Sequence, residues 1–224
     1  MLRRVAACLV VLVAPSLAWA QTGPDRLLPA GTQIYFRWDG FGAHRPAFEK
    51  TAVGQMVKGE TGKFLDALWD WINDAADLAG QADPQAPAMI KDALKIVSGI
   101  GQNGLAVSVD LKRVNPPAAQ LTLVFPKAAG KDGVLLPFVR KLADLANAGV
   151  QETKVGKRTV QHINVQVVNL GWWEEGNDAV FVIGTEDPTA YAKMIDANET
   201  GLAQSALYKQ VTACDTSGAL DEDA

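Results

Sequence analysis

From Leu105 to Ile183 apolar residues return at every second position in run after run, with turn residues between the runs. Period two of this kind is the signature of half-buried strands, so this half of the chain is expected to build a sheet. Leu105, Val107, Val109 and Leu111 alternate with Ala106, Ser108 and Asp110, and the first set reads as the inward face. Asn115-Pro116-Pro117 turns the chain into Gln120–Phe125, where Leu121, Leu123 and Phe125 repeat the pattern as an antiparallel neighbour. Gly156-Lys157 marks a hairpin turn, and Thr159–Leu170 reads as one long strand with Ile163, Val165 and Val167 inward, prolonged by Trp172-Trp173. Ala179–Ile183 returns as an almost wholly apolar, central strand. Gln33–Trp38 adds an earlier strand of the same period.

The remaining segments carry helical periodicity. A helical stretch is expected from about Arg45 to Lys58, and a longer one from Thr61 to Ala79. On the longer one Phe64, Leu65, Leu68, Trp69, Trp71, Ile72, Ala75, Ala76 and Ala79 form one broad apolar side opposite Asp66, Asp70, Asn73, Asp74 and Asp77. A third runs from Gln85 to Ser98, a fourth from Gly133 to Ala148, and a last begins at Asp187-Pro188, a cap followed by a first-turn proline. The order of elements predicts an α+β fold, a mainly antiparallel sheet with helices packed on one face. Residues 21–211 form one α+β domain on this reading, and 212–224, ending in Asp221-Glu222-Asp223, a disordered tail.

The first 20 residues read as an export signal. Arg3 and Arg4 precede an apolar run of about 13 residues, too short for the roughly 20 that a membrane-crossing helix needs, and Ala18-Trp19-Ala20 offers a small-x-small cleavage site. A periplasmic or secreted protein without a transmembrane anchor is therefore expected, cut after Ala20. Loss of the two arginines takes the formal charge from −4 to −6, without the basic excess that binds phosphate backbones, so nucleic acid is excluded as a partner. Cleavage also removes Cys8 and leaves Cys214 alone, which rules out an intrachain disulfide and a cysteine-based zinc site.

Reactive constellations are sparse. Gly99-Ile100-Gly101-Gln102-Asn103-Gly104 spells the G-x-G-x-x-G of dinucleotide turns, but a helix leads into it and a strand leads out, the reverse of the order that aims a helix N-terminus at pyrophosphate. His44 and His162 have no second metal-type ligand at helical or hairpin spacing, and no G-x-S-x-G elbow occurs. No catalytic, metal or cofactor residue is assigned. Trp172 and Trp173 are the candidate partner-binding pair. As neighbours on a strand they point to opposite faces, so one enters the core and the other is available as an anchor unless a helix or hairpin covers it.

Leu28-Pro29-Ala30-Gly31-Thr32 before an aromatic strand, Thr51-Ala52-Val53-Gly54 after it, and Trp173-Glu174-Glu175-Gly176 leading to Gly184-Thr185-Glu186-Asp187-Pro188 together form a pattern. On these motifs the chain resembles the N-terminal portion of a family of exported bacterial proteins of unknown function, usually longer than this chain. The resemblance implies export and no catalytic residues. The expected function is a non-catalytic exported module that binds an envelope or extracellular partner or organises the cell envelope. The alternatives are a small-ligand or lipid carrier, with a cavity lined by Trp69, Trp71 and Phe138, and an envelope hydrolase.

Overall fold

The computed structural model describes residues 23–81, 84–115, 117–196, 201–206, 208–210 and 212. The expected cleavage site, Cys214 and all but the first residue of the expected tail lie outside the described residues. After a 3-10 turn at Pro24–Leu27 come β1 (Ile34–Trp38) and four helices: α1 (Gly40–Phe48), α2 (Ala52–Lys58), α3 (Glu60–Ala79) and α4 (Ala86–Asn103). The hairpin β2 (Leu105–Val114) and β3 (Pro117–Phe125) leads to α5 (Leu135–Leu145). Four strands follow, β4 (Gln151–Val155), β5 (Arg158–Val165), β6 (Val168–Glu175) and β7 (Asp178–Gly184), then α6 (Pro188–Asp196) and a second 3-10 turn at Leu202–Gln204.

The strands form one antiparallel sheet in the order β1-β2-β3-β7-β6-β5-β4. After β3 the chain crosses through α5 to the far edge, then walks back by three hairpins until β7 pairs with β3. This is the α+β class expected from the sequence. The cover is different from the expected single helical layer. On β7, Ala179 and Phe181 join Leu135, Ala143 and Trp172 under α5, with Ile96 of α4 against them. Val180 and Val182 join Leu28, Val124, Val160, Trp173 and Tyr191 on the other side, beneath α6 and the two 3-10 turns. Both faces are therefore covered, the second by elements too short to register as a helical layer in a periodicity count.

That second cover reverses the reading of β2. Ala106, Ser108 and Asp110 are the buried set, while Leu111 is exposed and Leu105, Val107 and Val109 are half-buried. Alternation locates two faces but does not say which one is closed. The long strand expected over Thr159–Leu170 is two strands: Val165 pairs with Val168 across a two-residue turn at Gln166-Val167. Gln166 adopts a φ of 58° there, in the left-handed region usually held by Gly or Asn, so the turn has no sequence signal. The stretch from Arg45 to Lys58 likewise divides into α1 and α2. Thr51 caps α2, accepting from the Gly54 amide at 3.0 Å.

The glycine-rich string lies in the last turns of α4, which continues past the expected Ser98 to Asn103. Only Gly104 needs to be glycine for its backbone. It sits at φ +86°, and a Cβ there would come within 1.9 Å of the Trp38 carbonyl oxygen. Trp38 and Leu105 are register partners at the start of the β1–β2 ladder, so this close approach lets α4 hand over to the sheet.

Candidate interaction surface

Trp172 and Trp173 do point to opposite faces, but both faces are closed at this position and each tryptophan is about 1% exposed. Trp172 packs with Leu135, Ala143 and Phe181, and its Nε1 donates to Gln161 Oε1 at 2.7 Å. Trp173 lies with Val160, Val180 and Tyr191, the Tyr191 ring centroid 6.0 Å away, and its Nε1 donates to Glu175 Oε2 at 3.3 Å. The expected outward anchor on β6 is not there, because α5 covers one ring and α6 the other. Both indoles have satisfied donors and serve the core.

The outward tryptophans are on α3. This helix packs chiefly against α2 and α4, and its buried residue is Ala76. Phe64 and Trp71 are each 66% exposed and Trp69 is 42% exposed, with Leu65, Leu68 and Leu78 also open to solvent. Phe64, Leu68, Trp71, Ala75 and Leu78 follow one another at spacings of four and three, a continuous ridge along one line of the helix. The apolar side is wider than its packed neighbours cover. Trp69 and Trp71 therefore do not line a cavity with Phe138, as the carrier reading expected.

On the side away from this ridge α3 is strongly acidic, with Asp66, Asp70, Asp74 and Asp77, and Glu60 opens the helix; Lys63 is its single basic residue. Lys63 bonds to Glu60 at 2.7 Å, and Asp77 accepts from Lys91 of α4 at 2.7 Å. The other three aspartates leave that far side acidic. The carboxylates spread along a regular helix, and among the described residues no group of three His, Cys, Asp or Glu side chains could hold a metal ion.

A second exposed apolar area lies on the sheet, where Ile34 and Phe36 of β1 and Leu111 of β2 extend beyond the α4–α5 cover. A cleft of about 760 Å³ runs between α5 and the β4–β5 turn past Arg140, Lys157, Arg158 and Glu175. Its cations are largely matched within the fold. Arg158 Nη2 donates to Glu175 at 2.8 Å, and Arg140 reaches Glu152 at 2.8 Å and Asp144 at 3.1 Å.

Of the two histidines, His44 is exposed on α1. His162, on β5, has Nε2 3.1 Å from Thr153 Oγ1 of β4, and Asp187 lies in its neighbourhood. A hydroxyl, imidazole and carboxylate in series resemble a nucleophilic relay, which needs the carboxylate bonded to the second ring nitrogen. Asp187 instead accepts from Thr189 at both oxygens, from the amide at 2.8 Å and from Oγ1 at 2.7 Å. It serves as the cap of α6.

The N-terminal turn is pinned by polar contacts. Asp25 accepts from the Tyr35 hydroxyl and from Arg37 at 2.9 Å, and the Tyr191 hydroxyl donates to the Leu27 carbonyl. Burial, then the bond to Asp25, pushes the Tyr35 phenol well above its ordinary range, and burial does the same to Tyr191. Sequence reasoning found the α3 stripe but assigned it inward, since a stripe looks the same whether a partner in this chain or another covers it. No family model, curated protein or solved structure matches the chain, so the reading of this surface rests on its own residues.

Proposed function

We propose that the chain is an exported, non-catalytic binding module that engages a protein partner through the outward ridge of α3. The observation that carries this reading is the exposure of Phe64, Leu68, Trp71 and Leu78 in one line on a folded helix. A surface helix normally turns such a line inward, and a contiguous exposed apolar patch with polar borders marks an interaction site. Apolar anchors at i, i+4 and i+7, here Phe64, Leu68 and Trp71, are the form in which an amphipathic helix enters an apolar groove. The acidic far side of α3 disfavours an anionic lipid surface, which recruits basic helices. The support for export is the arginine-led apolar run followed by the Ala18-Trp19-Ala20 cleavage site.

The test is capture from envelope extract with the wild-type chain and with a Phe64→Ser/Trp71→Ser double variant whose melting temperature is unchanged. The expected result is a partner retained by the first and lost by the second. Equal recovery by both removes α3 from the interface. The Thr153–His162 pair gives the hydrolase alternative its one discriminating residue: ester-hydrolysing activity that disappears in His162→Ala would favour catalysis over binding.

A further inference from the structure

The glycine-rich end of α4 forms one wall of a small cleft. Ile96, Gly99, Ile100 and Asn103 lie on one side and Phe125, Ala128, Val134 and Leu135 on the other, enclosing about 280 Å³. That is near the lower end of small-ligand pockets. A Cβ added at Gly99 would find no atom within 4 Å, so bare helix backbone borders open space. Phosphate is a poor occupant. The amides of this string are used in helix bonds, the Gly104 amide donating to the Ile100 carbonyl at 2.8 Å, and the volume is small for a nucleotide.

The lining is largely apolar, with Lys95, Lys127 and Asp132 as its charged members. Lys95 stands one helical turn before Gly99, and Lys127 follows β3 in a left-handed conformation, φ 57°. Asp132 is the one carboxylate among the lining residues, and Asp178, which is not among them, accepts from the Lys127 amide at 2.9 Å and lies within range of the Lys127 charge. Among the described residues neither Lys95 nor Lys127 forms an ion pair within 4 Å, whereas Lys58, Lys63, Lys91 and Lys112 do. Two lysines in the lining of a small apolar cleft match an anion with a short greasy tail.

We propose that the cleft between α4 and α5 binds a small aliphatic carboxylate, its chain between Ile100 and Leu135 and its head group between Lys95 and Lys127. The proposal is independent of the α3 ridge.

The experiment is calorimetric titration of the purified protein with sodium octanoate and, separately, with 1-octanol. The variants are Gly99→Leu, whose side chain fills the slot, the Lys95→Glu/Lys127→Glu pair, and Trp71→Ser, with circular dichroism melts confirming each fold. Octanoate is expected to bind wild type and Trp71→Ser saturably and alike, and to lose at least about tenfold in affinity in Gly99→Leu and in the charge-reversed pair. Octanol should bind more weakly than octanoate and be indifferent to the charge reversal. The proposal fails if octanoate does not saturate the wild type, if folded Gly99→Leu binds as wild type does, if octanol matches octanoate, or if Trp71→Ser alone abolishes binding.

Discussion

Trp172 and Trp173 are covalent neighbours on β6 that belong to different cores, one closed by α5 and the other by α6. A two-sided core makes each indole a large contributor to stability, and neither is replaceable without a cavity. Trp172→Ala and Trp173→Ala should each destabilise the fold by about 3–5 kcal/mol, whereas Trp71→Ala should change it by no more than about 0.5 kcal/mol. Urea titration of the three variants reads the contrast.

Alkaline pH should unfold the chain through its buried phenols. Burial raises Tyr191, and burial with the Asp25 bond raises Tyr35. A raised folded value means that the stabilisation is fully present below the unfolded phenol value, about 10, and is lost as pH rises from there through the folded values. Melting temperature should therefore fall above about pH 10, and Tyr191→Phe or Tyr35→Phe should flatten that decline. An unchanged alkaline slope in both variants would contradict the assignment.

Asp187 works in the opposite limb. Burial alone would raise its carboxyl, but the two bonds from Thr189 outweigh it and hold it below the ordinary value. Its stabilisation is present above about pH 4 and is lost as pH falls through the lowered folded value. At pH 7, Asp187→Ala should cost about 1 kcal/mol, and Asp187→Asn much less, because amide and carboxylate cap comparably. Denaturation at pH 7 and at pH 3 should show the Ala penalty shrinking in acid.

The glycines of α4 should separate into two kinds. Gly101 has nothing within 4 Å of an added Cβ and lies in a helix, so Gly101→Ala should stabilise by about 0.5–1 kcal/mol. Gly104→Ala should destabilise by more than about 1 kcal/mol, since the Trp38 carbonyl and the positive φ both oppose it. Thermal melts of the two variants check the sign of each.

Most of the fold was legible where one physical signal dominated. The strands β2 and β3 were carried by alternation, β7 by its unbroken apolar run, and the start of α6 by a cap and proline together. Closure was not legible. The buried set Ala106, Ser108 and Asp110 looks like a solvent face because its residues are small or polar, and what buries it comes from both ends of the described chain. The β5–β6 turn was missed because Gln166 and Val167 lack turn chemistry. The α3 ridge was read correctly as apolar and wrongly as internal. Composition measures the tendency to be covered, not the identity of the cover.

Site-specific photo-crosslinking from position 71, with position 157 on the β4–β5 turn as the control, tests the α3 reading most directly. In intact envelope the account predicts a discrete heterologous protein adduct from position 71 and none of that size from position 157. No adduct at 71, the same adduct at both positions, or adducts between two copies of the chain alone would contradict it.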